Sequence, residues 1–431
     1  MQRSYSANVP AEDGLKVRVA GWVRELRSLG TLRFIILADR EGTIQITAKD
    51  GVVPKDVFDL IPKIERESVI DVYGKVRVEK QSRGGREIIP ERIEILSHAK
   101  EPLPLIVREQ ENPEEKTRFD ARFMDLRREK SQSIFRVRYE ICRAIREYMH
   151  SQKFMEIQTP KITITGTESG AEVFETEYYG KQAYLVQSAQ LYKQMAQAAG
   201  FDRVFEITPQ WRAEKSNTTR HLAESWSVDM EMGFIQSEED VMQILEGMVV
   251  HAMKHVKEEC ARHLERLKVS YDVPKLPLRR TTFKECHDFA KKHGIETDEN
   301  DISINVLKEM TKSNPRELYF ICKWPTRGKP FYIMSCPEDL EWSRSFDLQF
   351  GPLEISSGGQ RINDHELLAK RIKEKDMKTE TLQFYLDSFK YGMPPHGGFG
   401  FGVDRFTAAL LGIENVREAV LFPRTPDRVV P

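Results

Sequence analysis

The spacing of bulky and polar residues predicts five short strands in the first hundred residues. Residues 17–23 and 43–47 alternate between bulky and polar side chains, and residues 34–37 form an apolar run that predicts a buried strand. Residues 69–78 and 88–96 are two further strands, separated by the Arg83–Gly84–Gly85 turn. A helix-compatible piece at 54–64 lies between the third and fourth strands.

The rest of the chain mixes helices and strands. A 3.6-residue period predicts an amphipathic helix over 131–154, and a strand at 155–160 follows it. Residues 205–232 predict a hairpin with a long polar tip, and residues 238–269 predict a long charged helix on the outside of the domain. Further elements are predicted as helices at 283–293, 304–310 and 406–411 and a strand at 317–322.

A proline-containing, charged stretch separates these two parts. Residues 100–117 hold three prolines and several acids, so the chain there is stiffened and kept in solvent. We predict an N-terminal domain at 1–99, a linker or hinge at 100–130 and a large domain at 131–431. A chain of 431 residues is also longer than one core usually serves.

Composition narrows the class of protein. Hydrophobic residues make up 40% and charged residues 31%, which is typical of a globular protein. The net charge of -1 means that any nucleic-acid binding must come from local basic patches. The five cysteines form no CxxC pair, so neither a disulfide framework nor a zinc site is indicated. No apolar run suits a signal peptide or a membrane span, and we expect a cytoplasmic protein without membrane contact.

The tip of the predicted hairpin carries a cluster of cations. Arg212, Lys215, Arg220 and His221 lie within ten residues, and guanidinium groups match phosphate oxygens in a bidentate way. A basic loop in isolation is more often a solvated surface loop. Carboxylates inside this loop and on the return strand, with a second arginine site far downstream, favour a polyphosphate site instead.

Two downstream stretches add candidate ligand groups. Asp347 and Glu354 are hard oxygen ligands on predicted neighbouring strands, and Mg²⁺ is usually held by one or two carboxylates together with substrate phosphates. The glycine-rich run 392–402 precedes Arg405 and allows a backbone to approach a ligand closely. This run matches neither GxGxxG in a βαβ unit nor GxxxxGK[ST], so it does not indicate a Rossmann or P-loop site.

Five strands with one helix after the third form the layout of an OB-fold, a small barrel that often binds oligonucleotides. The other motifs together resemble those of class II aminoacyl-tRNA synthetases, above all the aspartyl, asparaginyl and lysyl subgroup. The matching pieces are Arg212-x-Glu214, Arg220-His221 and Asp229-x-Glu231 (motif 2), the helix and strand that end at Pro160 (motif 1), and the glycine-rich run into Arg405 (motif 3). The chain ends in LFPRT, where Thr425 replaces the Asp of the family's LFPRD.

This resemblance covers nearly the whole chain and implies an α+β protein. We expect an N-terminal five-stranded OB-fold β-barrel that binds the anticodon, and a large class II catalytic domain with an antiparallel sheet flanked by helices. The resemblance also implies a homodimer through motif 1 around Pro160. The compact archaeal and eukaryotic members of the family are the most similar in layout.

Residues 184–194 bear on the amino-acid substrate. They resemble the subgroup's QSPQxxKQ signature, with Ala189 in place of Pro, and the aspartate enzymes carry a lysine where this chain has Lys193. A side-chain carboxylate needs a cation, whereas a neutral amide does not, and an unpaired buried cation should reject asparagine. We expect Asp229 to hold Lys193. The implied aspartate-binding residues are Glu168, Gln190, Lys193, Arg212, Asp229, Ser357 and Arg361.

The implied reaction joins L-aspartate to ATP as aspartyl-adenylate and then to the 3′ end of tRNA(Asp). Arg212 and Arg405 are the implied catalytic residues, because Arg212 would neutralise charge at the α-phosphate while Arg405 meets the γ-phosphate or stacks on adenine. The implied ATP-binding residues are Arg212, Glu214, Arg220, His221, Glu354 and Arg405, and the implied Mg²⁺ ligands are Asp347, Glu354 and Ser357. Ser225 stands where the family often has an aromatic residue on adenine, and Trp226 is expected to face the other way.

Three residues of the N-terminal domain match anticodon-reading positions of the family. They are Arg27, Phe34 and Gln45, with Phe34 under the central U and Gln45 paired to it. The alternatives are a core Phe34 and a solvated Gln45. Whether tRNA(Asn) is charged as well depends on the third anticodon base, which would be read near Arg24 and the 83–85 turn.

Three rival functions remain at this level. The nearest is asparagine-specific tRNA charging, which Lys193 and Asp229 speak against. An asparagine synthetase paralogue would use the same adenylate without needing an anticodon domain. A non-catalytic RNA-binding paralogue would not need the arginines and carboxylates that this chain carries.

Overall fold

The computed structural model describes residues 1–108, 113–164, 172–215, 218–377 and 379–431. The chain divides into two compact units, Met1–Gln132 and Ser133–Pro431, and each has its own apolar core. Among the residues so described, no helix combines the length and apolar character needed to cross a bilayer.

Five strands close into a barrel in the first unit. Their bounds are β1 Lys16–Leu29, β2 Leu32–Asp39, β3 Gly42–Lys49, β4 Val69–Val78 and β5 Arg86–Ser97, with helix α1 Lys55–Leu60 after β3. The strands pair in the order β1–β2–β3–β5–β4. The predicted five-stranded barrel is confirmed, and inward side chains such as Val19, Ile35 and Ile46 fill it.

One strand of the barrel differs from its prediction. Residues 34–37 do not form a continuous buried run, because Ile35 and Leu37 are buried whereas Phe34 and Ile36 are half-buried. The strand therefore has an inner and an outer face, as the two-residue period of a barrel strand requires. Phe34 lies on the outer face.

The described parts of the segment that follows the barrel include helices and buried side chains. It contains helices α2 Glu115–Asp120 and α3 Arg122–Asp125. Leu105, Val107 and Met124 are buried in a small apolar cluster of their own. The expectation that charge keeps this whole stretch in solvent is wrong.

A large sheet organises the second unit. Its strands are β6 Met155–Glu156, β10 Arg203–Trp211, β11 Glu224–Gly233, β12 Arg279–Thr282, β13 Leu318–Cys322, β16 Ser345–Phe350, β17 Leu353–Gln360 and β18 His396–Gly402. They lie in the order β12–β13–β16–β17–β18–β11–β10–β6. The six central strands pair antiparallel, and only the two edge strands pair parallel. The predicted antiparallel sheet and the hairpin over 205–232 are confirmed.

Smaller elements and helices surround this sheet. Two small sheets contain β7 Ile162–Thr163, β8 Glu175–Tyr178 and β9 Lys181–Leu185, and β14 Ser335–Cys336 and β15 Asp339–Ser343. The helices are α4 Glu129–Ser151, α5 Gln190–Ala198, α6 Glu238–Glu259, α7 Ala261–Leu267, α8 Phe283–His293, α9 Ile304–Met310, α10 His365–Glu374, α11 Gln383–Ser388 and α12 Val403–Leu411.

Two element predictions in the second unit are wrong. Residues 238–269 form two helices that meet at Cys260, and α6 buries an apolar face in the main core through residues such as Leu245 and Val249. The charged residues at its ends hid that face in the sequence. The strand predicted over 155–160 is only Met155–Glu156, and the chain then leaves the sheet.

Candidate active site

The hairpin of β10 and β11 sets the floor of a cleft. Its residues alternate, so Val228 and Met230 enter the main core while Asp229 and Glu231 point to the opposite face of the sheet. Strand β18 pairs with β11, and Glu231 lies opposite Gly398. The carboxylates therefore lie in the middle of the sheet rather than at its edge.

The cleft has a volume of about 280 Å³. Most residues predicted from the sequence meet there: Gln190, Lys193, Arg212, Glu214, Arg220, His221, Asp229, Glu354, Ser357, Arg361 and Arg405. Asp347 lies beside the cleft, opposite Ser357 in the β16–β17 pairing. Glu168, predicted at the amino-acid site, lies outside the described residues.

At one end of the cleft, two buried cations share one carboxylate. Lys193 Nζ lies 3.5 Å from Glu231 Oε2, and Arg361 contacts the same carboxylate through Nε at 2.9 Å and Nη2 at 3.3 Å. Lys193 also donates to Asp229 Oδ1 at 3.1 Å and to the carbonyl of Phe399 at 3.0 Å. The expected contact between Lys193 and Asp229 is present.

This end of the cleft holds two positive and two negative side chains. Burial favours the neutral acid at Glu231, but Arg361 and Lys193 outweigh that effect and lower its pKa. Glu231 in turn raises the pKa of Arg361 against the opposing effect of burial. The expectation of an unpaired cation that rejects asparagine is therefore wrong in that form. Among the described residues, Arg361 Nη1 has no hydrogen-bond partner, so this nitrogen can face a substrate.

A glycine makes room for the central carboxylate. A Cβ atom on Gly398 would lie 2.0 Å from the carbonyl oxygen of Met230 and 2.2 Å from Glu231 Oε2. No side chain fits at that spacing, so the glycine-rich run serves protein packing here as well as ligand approach.

The candidate metal site combines two carboxylates and a lysine. Asp347 is buried, and its Oδ1 has no hydrogen-bond partner among the described residues, while Lys329 Nζ lies 3.2 Å from its Oδ2. Glu354 is open to solvent but deep in the cleft, where enclosure by the protein and the negative Asp347 raise its pKa. An orphaned oxygen beside a second carboxylate fits a divalent cation. Within the described part of the chain, no group of three or more His, Cys, Asp or Glu side chains could hold a metal by itself.

The other end of the cleft is basic and open. Arg212 is 46% exposed, and its Nη1 lies 3.9 Å from Glu214. Arg405, in the first turn of α12, donates weakly to the carbonyl of Glu354 at 3.4 Å. Burial and the nearby Arg405 lower the pKa of His221. Guanidinium groups held loosely by protein partners can turn to a phosphate.

Position 225, where the resemblance implies an aromatic ring for adenine, carries a serine in the cleft. Ser225 lines the cleft, as expected, and Trp226 contributes to the lining as well, which strict strand alternation does not predict. The backbone N–H of Trp226 donates to the carboxylate of Asp404 at 2.7 Å. The Asp404 carboxylate also accepts a hydrogen bond from Arg138 Nη2, with 2.5 Å between Nη2 and Oδ1. Asp404 on α12 therefore contacts both β11 and α4.

In the first unit, the arginines near the predicted anticodon positions differ in their exposure and partners. Arg24 forms an ion pair with the buried Glu67. The guanidinium of Arg33 stacks on Phe58, with its Cζ 3.7 Å from the centre of the ring. Arg27 is 69% exposed. Arg24, named above as near the third anticodon base, therefore has its guanidinium held by a carboxylate of the same unit.

The two remaining anticodon candidates lie on β2 and β3. Phe34 is half-buried and pairs across the strands with Arg27. Gln45 donates its amide to Glu87 at 2.8 Å, and its side-chain carbonyl oxygen is left for another donor. The solvated Gln45 considered as an alternative does not describe this residue.

Sequence reasoning missed several residues around the cleft. Glu231 was noted only as part of a motif, although the two cations meet on it. Lys329 carried no motif at all, and Gln194 and His396 lay inside motifs without a role. The signal that could have found Glu231 is its place between Met230 and Met232 on a strand predicted to be buried, where an acid requires a cation.

Comparison with known proteins agrees with this arrangement of parts. A family model described as OB-fold nucleic acid binding domain matches residues 17–96. A second, described as tRNA synthetases class II (D, K and N), matches residues 114–426.

Individual proteins match over the whole chain. An aspartate–tRNA(Asp/Asn) ligase of Archaeoglobus fulgidus is 50% identical and an aspartate–tRNA(Asp) ligase of Pyrococcus abyssi 45% identical, each with 100% of both chains covered. Among solved structures, the asparaginyl-tRNA synthetase of Pyrococcus horikoshii with asparaginyl-adenylate has a TM-score of 0.93, at 32% identity and 100% coverage of both chains.

Proposed function

The chain belongs to the class II tRNA synthetases of the D, K and N group, and from that premise we propose that it joins L-aspartate to tRNA(Asp). It is an aminoacyl-tRNA synthetase and so uses ATP. Aspartate first forms aspartyl-adenylate, and the aspartyl group then passes to the 3′ end of the tRNA.

The contact of Lys193 and Arg361 with one carboxylate carries the choice of aspartate. Both side chains are 3% exposed and contact Glu231. A substrate side chain that enters there therefore meets cations already paired with Glu231 and Asp229, and it can use the hydrogen-bond donor that this pairing leaves unused. Arg361 Nη1 is the nitrogen that would take the substrate carboxylate. Gln190 and Asp229 contact Arg361 and Lys193, and Ser357 also lines the cleft. These three residues would surround the amine and backbone of the substrate.

The basic end of the cleft would bind ATP. Arg212 would neutralise the charge that builds on the α-phosphate, while Arg220, His221 and Arg405 hold the pyrophosphate. Glu214 and Glu354 would orient these cations and the nucleotide. The protein's contribution is position and charge rather than covalent catalysis.

Asp347 and Glu354 would hold Mg²⁺, with Ser357 on the paired strand. The unpaired Oδ1 of Asp347 and the proximity of the two carboxylates support this assignment. When bound, the ion would neutralise phosphate charge.

Residues 1–99 would bind the anticodon, 100–130 would connect the parts, and 131–431 would form the catalytic domain. The exposed Arg27, the outward Phe34 and the oriented amide of Gln45 support the first of these roles. Curated relatives include enzymes named for tRNA(Asp) and enzymes named for tRNA(Asp/Asn). We therefore include tRNA(Asn) as a second substrate to be tested.

We further propose a homodimer through the segment around Pro160. Apolar side chains of this region face solvent in the single chain: Tyr139, Met155, Ile162 and Ile164 are 59%, 53%, 44% and 57% exposed. Such a patch favours burial against a second copy. Light scattering should give twice the chain mass of 50.0 kDa, and a mass of one chain would refute the dimer.

The main alternative is asparagine activation, because one structural relative carries asparaginyl-adenylate. ATP–pyrophosphate exchange with aspartate and with asparagine separates the two substrates. We expect exchange with aspartate and little with asparagine, whereas exchange with asparagine alone would refute the proposal. Charging of tRNA(Asp) and tRNA(Asn) must be measured in parallel, because exchange without charging would indicate an asparagine synthetase paralogue.

A further inference from the structure

A buried chain of hydrogen bonds lies behind the aspartate end of the cleft. Arg361 Nη2 donates to Gln190 Oε1 at 3.3 Å, and Gln190 Nε2 donates to Gln194 Oε1 at 2.8 Å. Gln194 Nε2 lies 2.8 Å from His396 Nε2, and His396 Nδ1 lies 2.8 Å from the carbonyl oxygen of Pro394. Gln194 and His396 are fully buried, and neither lines the cleft.

The carbonyl of Pro394 fixes the direction of every bond in this chain. A carbonyl oxygen only accepts, so His396 Nδ1 must carry the proton. A neutral ring then presents a bare Nε2, which accepts from the amide nitrogen of Gln194. That leaves Gln194 Oε1 to accept from Gln190 Nε2, and Gln190 Oε1 to accept from Arg361.

Reversing the donor and acceptor of any of these hydrogen bonds would disturb Arg361. If Gln190 turned its amide nitrogen to the guanidinium, two donors would face each other and Arg361 would lose the contact. Glu231 accepts from Nε and Nη2 of Arg361, and Gln190 is a second acceptor for Nη2. Together the two residues hold the guanidinium plane in the position that leaves Nη1 for a ligand. Tyr385 adds a donor to Gln194 Oε1 at 3.0 Å, in the same sense as Gln190.

We propose that Gln194 and His396 are positioning residues that fix the orientation of Gln190 and Arg361 and thereby the selection of aspartate. Neither residue touches the substrate. The inference rests on the proposed function, because Arg361 is there the group that takes the substrate carboxylate.

The charges around His396 predict a pH dependence. Burial lowers its pKa, the nearby Arg361 acts in the same direction, and Glu231 opposes them. Tyr385 is linked to the ring through Gln194. Protonation would place a second N–H against the Gln194 amide nitrogen, so the aspartate KM should rise as pH falls below the ordinary range of histidine.

The first test removes the relay and keeps the volume. Gln194→Met should raise the aspartate KM in ATP–pyrophosphate exchange about tenfold and leave the ATP KM unchanged. Gln197→Met is the matched control, because Gln197 is buried on the same helix α5 and its amide contacts only the carbonyl of Lys193. The control should stay within about twofold of wild type.

The second test reverses the polarity at one position. In Gln194→Glu both carboxylate oxygens accept, so one of them faces the bare Nε2 of a neutral His396. The carboxylate keeps its place between His396 and Gln190 only when His396 Nε2 carries a proton, and without that proton it shifts and pulls away from Gln190. The aspartate KM of this variant should rise with increasing pH, opposite to the wild type. A fall with increasing pH, or a flat profile, would overturn the proposal, and this profile decides if Gln194→Met does not fold.

The wild-type measurement separates this inference from the proposed function. No aspartate-dependent exchange by the wild type would refute the function itself. Wild-type exchange combined with an unchanged aspartate KM in Gln194→Met would refute only the relay.

Discussion

Glu231 shows how one buried acid can hold a binding site together. It is fully buried and sits between Lys193 and Arg361, and its own charge is favoured by both. Removing one partner of a buried charge cluster leaves the others uncompensated. The residue that never touches the substrate in our account therefore decides where both cations stand.

Replacing this acid by its amide should cost stability in a pH-dependent way. The folded pKa of Glu231 lies below the ordinary 4.5, so its contribution is fully present above that pH and is lost as pH falls through the folded value. At pH 7, Glu231→Gln should lower the free energy of unfolding by about 3–5 kcal/mol. Urea unfolding followed by tryptophan fluorescence measures this, because four of the five tryptophans lie beyond residue 132.

The difference between the two proteins should narrow in acid. Glu338→Gln is a suitable control, since that side chain is 64% exposed and its removal should be neutral. A gap that stayed constant from neutral pH to well below 4.5 would show that Glu231 is not ionised in the folded protein.

At the scale of single residues, the sequence predicted which side chains serve as cations for a carboxylate. A lysine and an arginine far apart in sequence were expected at one carboxylate site, and the fold brings both to Glu231. Their neutralisation was not predictable, because it depends on strand register that puts Glu231 between them. The pairing of Arg24 with Glu67 and the stacking of Arg33 on Phe58 were not predictable for the same reason, since each partner is distant in sequence.

At the scale of elements, strand β18 contains one glycine that the sheet leaves no room to replace. Gly398 cannot carry a side chain, because the backbone of β11 and the carboxylate of Glu231 fill the space. Two positions on, a Cβ on Gly400 would meet Ser227 Oγ at 3.7 Å and Asp229 Oδ1 at 3.8 Å, which are ordinary contacts.

This difference gives a matched pair of variants. Gly398→Ala should destabilise the protein by about 1–3 kcal/mol through overpacking and raise the aspartate KM, because Glu231 must move. Gly400→Ala should leave the unfolding free energy nearly unchanged. Urea unfolding of both variants tests the claim, and equal losses would mean that the sheet relaxes around either methyl group.

Elements with strong periodicity were predictable, and their surroundings were not. Helices α8 and α9 have the predicted bounds, and the hairpin of β10 and β11 is where the pattern puts it. Helix α6 was expected on the outside, but the sheet needs an apolar cover and takes one face of it. Only tertiary packing decides such a choice.

At the scale of the whole molecule, the two units divide the work in our proposal. Adenylate formation needs only the cleft of the second unit, whereas tRNA selection needs the barrel. A change on the barrel surface should therefore alter one reaction and not the other.

Phe34→Ala tests this separation. Loss of one base-stacking ring should raise the KM for tRNA(Asp) about tenfold in aminoacylation and leave ATP–pyrophosphate exchange unchanged. Tyr73→Ala is the control, because it removes another half-buried ring of the barrel away from Phe34. Tyr73 lies opposite Arg18 on β1, whereas Phe34 lies opposite Arg27, nine residues further along that strand. Equal effects of both variants on tRNA charging would mean that Phe34 acts through barrel stability.

The central claim is that Arg361 and Lys193 receive the side-chain carboxylate of aspartate. The most direct measurement is a crystal structure of the protein with a non-hydrolysable aspartyl-adenylate analogue. We predict that the side-chain carboxylate lies about 2.7–2.9 Å from Arg361 Nη1, on the side where Lys193 meets Glu231. A side chain turned away from both cations would contradict the account.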